Sequence, residues 1–304
     1  MTVLIIGGSG FLGTELVRQA AFAGRRPAAT FHSRPGDDVR ATWHHLDLRD
    51  PIRLEKVLDT VAPAVLINAT SGGADWAVTA EGGIRLAQAA ASRSIRLVHV
   101  SSDAVFSGTG RDWYDESCLP DPLTPYGAAK AAAETAVRLL CSDAAVVRTS
   151  LIIGHGRSEH EQLAHALAAG TRQGALFTDD IRCPVHVEDL AAALWEITQS
   201  DAAGVFHLAG PDALSRHVPC QVHLFRFCGV LWGPETQKSR PGVKVGRGGS
   251  RPWYWWAHLF NCRQFPAETT PLVTVCGRQW RISSSSLRPP TVKPSRLSIW
   301  NTPA

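Results

Sequence analysis

The sequence predicts an α/β protein: a doubly wound parallel sheet, followed by a small, incomplete lobe and an irregular C-terminal tail. Three observations carry this. A β-branched apolar run at residues 2–6 ends in Gly7-Gly8-Ser9-Gly10-Phe11-Leu12-Gly13 and passes at once into an amphipathic stretch. Apolar runs of strand length then alternate with helix-length segments as far as about residue 200, the pattern of crossover units around a parallel sheet. Residues suited to chemistry fall at the C-terminal ends of those runs, where open parallel sheets bind their ligands.

With 304 residues, 44% apolar and 19% charged, the chain can bury a full core and has an ordinary soluble composition. Residues 3–6 are too short for a signal-peptide core, and no apolar run approaches the roughly 18 residues of a membrane span. Seven cysteines, an odd number without a C-x-x-C pair, suggest reduced thiols in a cytoplasm. His155 and His160 lack the spacing of metal ligands, and no metal site is expected.

The glycine turn is read first. Glycines let the backbone bend tightly and approach a pyrophosphate, whose charge meets the free N–H groups of the helix that follows. The spacing fits G-x-G-x-x-G (Gly8, Gly10, Gly13) and G-x-x-G-x-x-G (Gly7, Gly10, Gly13) equally. The second run, residues 28–32, predicts the next strand. An acid for the ribose of NAD is expected near its end, but His32-Ser33-Arg34 stands there, with no carboxylate before Asp37. Ser33 and Arg34 suit a 2′-phosphate, so the reading favours NADP(H) over NAD(H). Strands are predicted at 42–46, 64–68, 96–101 and 144–153, and helices at 53–60, 82–91, 162–169 and 188–199. Ser158-Glu159-His160-Glu161 has the form of a capping box.

The chemistry centres on Tyr126-Gly127-Ala128-Ala129-Lys130 at the start of an alanine-rich helix. Residues four apart share a helix face. A nearby ammonium favours the phenolate, which predicts a Tyr126 pKa below the usual value of about 10 and a proton donor for a developing alkoxide. Such pairs are common on helices by chance. The glycine turn and Ser102, at the end of the strand over 96–101, give this one its meaning.

Taken together, the glycine turn, Asn68-Ala69-Thr70, Ser102 and Tyr126-x-x-x-Lys130 resemble the extended short-chain dehydrogenase/reductase family. Ser102-Asp103-Ala104-Val105-Phe106-Ser107-Gly108 and Thr124-Pro125-Tyr126-Gly127 are most similar to dTDP-4-dehydrorhamnose reductases and related sugar-nucleotide reductases. The resemblance covers residues 1 to about 217. It implies a Rossmann-type domain over 1–150 and a partial substrate lobe over 151–217. Tyr126 would protonate a carbonyl oxygen as hydride reaches its carbon. Lys130 would hold the nicotinamide ribose and lower the tyrosine pKa, while Ser102 would polarise the carbonyl. Gly7, Gly10, Phe11, Leu12 and Gly13 would cradle the phosphates, Asp47 and Leu48 flank the adenine, and Asn68, Ala69 and Thr70 line the middle of the coenzyme. A sugar nucleotide would lie near Asp103, Phe177, Arg182 and His186. The family's usual asparagine in the helix before the fifth strand is replaced here by Val78-Thr79-Ala80, which puts its water-relay role in doubt. A homodimer is compatible with the resemblance. A regulatory NADP-binding subunit and an NAD-dependent epimerase or dehydratase are the alternatives on the same scaffold.

Residues 218–304 read differently. Residues 1–213 carry 18 Lys+Arg against 25 Asp+Glu, a net −7; residues 214–304 carry 13 against 2, a net +11. Six of the ten tryptophans and four of the seven cysteines lie in that last stretch, which keeps neither helical nor strand periodicity. A changed reading frame or an unspliced segment is the expected source of this composition, and it would leave the substrate lobe without its closing element and the activity weak or absent. A basic aromatic tail for nucleic acid or anionic surfaces, or a metal site through Cys220, His223, Cys228, His258, Cys262 and Cys276, would be the alternatives. With no recognisable module, nucleic acid is not the expected partner.

Overall fold

The computed structural model describes residues 1–111, 113–174, 180–215, 272–275 and 278–281. Phe177, and the readings of the tail beyond the last two segments, lie outside them.

The elements run β1 (Val3–Ile6), α1 (Phe11–Phe22), β2 (Ala28–Phe31), β3 (Thr42–His45), α2 (Pro51–Val61), β4 (Val65–Asn68), α3 (Gly82–Ser92), β5 (Arg96–Ser102), α4 (Pro125–Leu140) and β6 (Ala145–Thr149). They continue with β7 (Ile152–Ile153), α5 (Glu159–Ala168), β8 (Ile181–Arg182), β9 (Val185–His186), α6 (Val187–Gln199), β10 (Gly204–Leu208) and β11 (Leu214–Ser215). Seven strands form one sheet in the order β10-β6-β5-β4-β1-β2-β3, with every pair parallel. This is the doubly wound sheet expected. Its seventh strand, β10, is supplied from beyond residue 150.

Strand alternation divides the core between the two faces. Val3, Ile5, Val65, Ile67, Val98 and Val147 point to the side covered by α1 and α6. Leu4, Ile6, Leu66, Leu97 and Val146 point to the side holding Leu54 and Leu58 of α2, Leu86 of α3 and Val137 of α4. Strands buried on both faces read as unbroken apolar runs, which is why the sequence revealed them. Trp195 of α6 donates its indole N–H to the Leu16 carbonyl (3.2 Å), pinning α6 to α1.

Local signals account for most boundaries. The Asp50 carboxylate accepts from Arg53 N–H (2.9 Å) with Pro51 in the first turn, and α2 ends at left-handed Ala62. Ser158 and Glu161 form the expected capping box of α5. The strand expected over 144–153 is instead two, β6 and β7. Between them Ser150 turns out of the sheet to donate to Asp103 (2.7 Å) and accept from Cys183 N–H (3.2 Å), so a polar tether outweighs the apolar run. A π-turn over Ala77–Glu81 precedes α3. In the tail, Leu272–Val275 and Arg278–Arg281 form an antiparallel pair, where no strand periodicity was expected.

Beneath the site, His99 is fully buried. Asn68 commits its oxygen to Thr70 N–H (3.1 Å), so its amide nitrogen donates to His99 Nδ1 (3.1 Å). Burial, then the nearby Lys130 charge, hold the ring neutral and depress its pKa to about 3. The unfolded chain therefore binds a proton below about pH 6.5 that the native protein refuses, and stability falls as pH drops from 6.5 towards 3. In His99→Gln, the loss of unfolding free energy between pH 7 and pH 5 should shrink by about 2 kcal/mol, read from urea titrations at the two pH values.

Candidate active site

The glycine turn joins β1 to α1 as the sequence implied. Gly7 has φ of +78°, a conformation favouring glycine, and its N–H donates to Thr30 Oγ1 (2.9 Å). Gly10 N–H closes the turn on the Gly7 carbonyl (3.0 Å). A Cβ at Gly13 would lie 2.1 Å from that same carbonyl oxygen, so only glycine lets α1 start this close to β1. Leu12 is buried in the core and Phe11 packs against it. Gly10, the first residue of the turn into α1, carries no side-chain cap.

Thr70 packs over this turn: its backbone and hydroxyl surround the position a Gly7 Cβ would take. Its Oγ1 is buried without a hydrogen-bond partner. Its carbonyl accepts from Lys130 Nζ (3.2 Å), which also donates to the Val100 carbonyl (3.0 Å). Lys130 thus ties α4 to the loop over the glycine turn. Its ammonium lies 6.0 Å from the centre of the Tyr126 ring. Burial lowers the Lys130 pKa to about 8.

Two close approaches bring Tyr126 to Ser102. Thr124 caps α4 by accepting from Gly127 N–H (3.1 Å), and a Cβ at Gly127 would fall 2.0 Å from the Ala104 carbonyl oxygen. Ser102 Oγ accepts from Ala104 N–H (3.1 Å), fixing the turn that Gly127 presses against. The phenol is half-buried, and the hydroxyls of Ser71 and Ser102 bear on it. Its pKa is nevertheless raised, because desolvation outweighs those two hydrogen bonds and Asp103 adds a like charge. The expected depression by Lys130 is corrected. The ammonium faces the ring and two carbonyls, and the phenol keeps its proton.

Comparisons with known proteins bear on the chain as a whole. The family model for the RmlD substrate binding domain matches residues 1–227. The dTDP-4-dehydrorhamnose reductase of Mycobacterium tuberculosis is 30% identical over 296 residues, covering 92% of this chain and 90% of the relative. The chain belongs to the RmlD family. Among solved structures, WbmG of Bordetella bronchiseptica in complex with NAD and UDP superposes with a TM-score of 0.66 at 21% identity, over 77% of this chain and 80% of that one. The dTDP-4-dehydrorhamnose reductase of Bacillus anthracis in complex with NADP gives 0.61 at 22%, over 74% and 81%. Both likenesses concern the fold.

The remaining expected positions of this RmlD-family chain divide into three groups. Ser33 and Arg34 are exposed at the end of β2, and Arg34 makes no ion pair among the described residues. Asp47 lies nearby, but Arg49 grips its carboxylate (2.8 Å) and holds its pKa at about 2. The side chain of Leu48 is buried against α2 and α3, and its carbonyl accepts from Arg85 (2.8 Å). Asn68 is likewise spent internally on Thr70 and His99, and lines the site only through the loop it fixes. Ala69 donates its N–H to the Ile6 carbonyl (3.0 Å), continuing the β4–β1 ladder.

On the other side, Asp103 and Arg182 meet (3.2 Å), joining the turn after β5 to the lobe strand β8. His186 also has a local role: its Nδ1 accepts from Glu188 N–H (3.3 Å) as the cap of α6, and its ring packs edge-on to His155 at 5.1 Å.

Sequence reasoning missed Ser71 and what supports it. Ser71 follows Asn68-Ala69-Thr70 on the same strand-end loop, which was the available signal. Thr79, in the π-turn, holds that loop by donating to the Gly73 carbonyl (3.0 Å) and accepting from Gly72 N–H (3.1 Å). Its hydroxyl is therefore consumed within the loop. Also missed was the buried Glu134–Arg148 pair behind Lys130. Among the described residues no group of His, Cys, Asp or Glu could hold a metal, and no helix is long and apolar enough to cross a membrane.

Proposed function

We propose that this chain reduces the 4-keto group of a sugar nucleotide, with NADPH as hydride donor. The observation that carries the reading is the junction at Thr70: one residue packs on the glycine turn and accepts from Lys130, whose helix also carries Tyr126. The residues fit a dinucleotide. The missing Cβ atoms at Gly7 and Gly13 let the turn close tightly under the start of α1, whose free N–H groups suit a pyrophosphate, and the buried, unpartnered Thr70 Oγ1 offers a hydrogen bond beside it. When bound, the coenzyme supplies hydride to the carbonyl carbon. Lys130 holds the ribose on that path, and Ser102 with Ser71 orients the phenol and the carbonyl oxygen. Tyr126 carries its proton at neutral pH, the form a general acid needs.

Asp103 and Arg182 line the substrate side. The Asp103 carboxylate is engaged by both Arg182 and Ser150, which disfavours a dehydratase that would need it as a free base. The sugar-nucleotide substrate is supported by the name of the mycobacterial relative. The preference for NADPH rests on exposed Arg34 and the absent ribose acid, with the Bacillus reductase's NADP in accord; WbmG's NAD stands on the other side.

The test is NADPH oxidation by the full chain, tail included, with dTDP-4-keto-6-deoxy sugars. Turnover is expected, and Arg34→Ala should raise KM for NADPH by about 10–100-fold while leaving KM for NADH unchanged. No oxidation of either coenzyme with any keto sugar nucleotide would remove the reductase reading. Equal effects of Arg34→Ala on both coenzymes would remove the NADPH preference.

A further inference from the structure

Helix α4 carries a third polar residue on the buried face of Tyr126 and Lys130, one turn further on. Glu134 and Arg148 are each 2% exposed in the side chain and form an ion pair within the core. Arg148 Nε lies 3.1 Å from both carboxylate oxygens, and Nη2 donates to Oε2 at 2.8 Å. Ser101 Oγ donates to the same carboxylate. In the β5–β6 register Ser101 faces Arg148, and Ser102 faces Thr149. The clamp is thus made one residue from Ser102 and one turn from Lys130. Arg148 also donates to the Cys118 carbonyl (3.3 Å) and lies 5.0 Å from the Phe106 ring, reaching the loop that leads into α4.

Lys130 is surrounded as follows. On α4 stand Tyr126 and Glu134. From β5 comes neutral His99, and from β6 Arg148 behind Glu134; Asp103, in the turn after β5, bears on Tyr126. The hydrogen-bond partners of its ammonium are uncharged carbonyls. Glu134 is the anion that bears on it. Apolar residues of similar volume can replace a buried ion pair without loss of stability, so packing alone does not require charges here.

We propose that Glu134 is a positioning residue: clamped by Arg148 and Ser101, it seats α4 against the end of β5 and keeps Lys130 an ammonium beside the Tyr126 phenol. The proposal rests on the reductase reading, but its test needs neither substrate nor coenzyme. Burial alone pushes the Lys130 amine down and Glu134 pulls it back up, to about 8. Without that carboxylate the amine titrates lower and is neutral over more of the working range.

The chain has five lysines, so in [13C]lysine-labelled protein each Cε resonance can be followed against pH, with Lys130 assigned by its loss in Lys130→Arg. In the wild type the Lys130 midpoint is expected near 8, against about 10.4 for exposed lysines. Glu134→Gln should lower it by about one pH unit or more, and Glu134→Asp should largely retain it. A Glu134→Leu/Arg148→Met double variant, apolar and similar in volume, should lower it too, providing the measurement if the single variant does not fold. A midpoint within about 0.2 unit of wild type in the folded variants overturns the proposal. So does an ordinary lysine value in the wild type, or the unfolding of both variants, which would make the pair structural only. Should these titrations come out as expected while the wild type oxidises no NADPH, the reductase reading fails and the role of Glu134 beside Lys130 stands.

Discussion

Tyr126→Phe is expected to lower kcat for keto-sugar reduction by about 10²–10⁴ while leaving NADPH affinity within about twofold. The substitution removes one oxygen. The ring keeps its packing, and Lys130 keeps its two carbonyl partners at Thr70 and Val100, so the coenzyme side is undisturbed. What disappears is the proton for the carbonyl oxygen, held by a phenol whose raised pKa keeps it protonated. Stopped-flow measurement of hydride transfer, with NADPH affinity read from fluorescence, separates the two effects. A variant retaining more than about a tenth of the wild-type rate would show that Tyr126 is not the acid.

Arg148→Met is expected to cost about 3–5 kcal/mol of stability, because it leaves the Glu134 carboxylate buried and without its cation. Ser101 remains as a partner, but one hydroxyl does not offset a buried charge. For a domain of this size the loss corresponds to a fall in Tm on the order of 10 °C. Arg93 is the control. It pairs with Glu55 and Asp59, both largely exposed, and Arg93→Met should cost less than about 1 kcal/mol. Thermal unfolding of the two variants beside the wild type makes the comparison. Equal shifts would mean that the Glu134–Arg148 pair is no more than a surface pair in its energetics.

Much of this was written in the order of the residues. The glycine turn, the alternation of apolar runs with helices and the caps at Asp50, Thr124 and Ser158 each depend on neighbours a few positions apart, and such signals survive in a single sequence. The split of 144–153 was not legible, because Ser150 leaves the sheet for Asp103 and Cys183, both more than thirty residues away. The capping of α6 by His186 Nδ1 was not legible either, because a histidine's place in the sequence does not say which ring nitrogen meets which neighbour.

By itself, then, the order of residues determined the parallel sheet, the glycine cradle and the placing of Tyr126 and Lys130 one turn apart. Only the tertiary structure decided their charge states: a phenol that keeps its proton, an amine near 8, and Glu134 with Arg148 behind them. Periodicity and turn chemistry are local and persist in the unfolded chain. Desolvation and the fields of distant charges exist only once α4 has closed against β5.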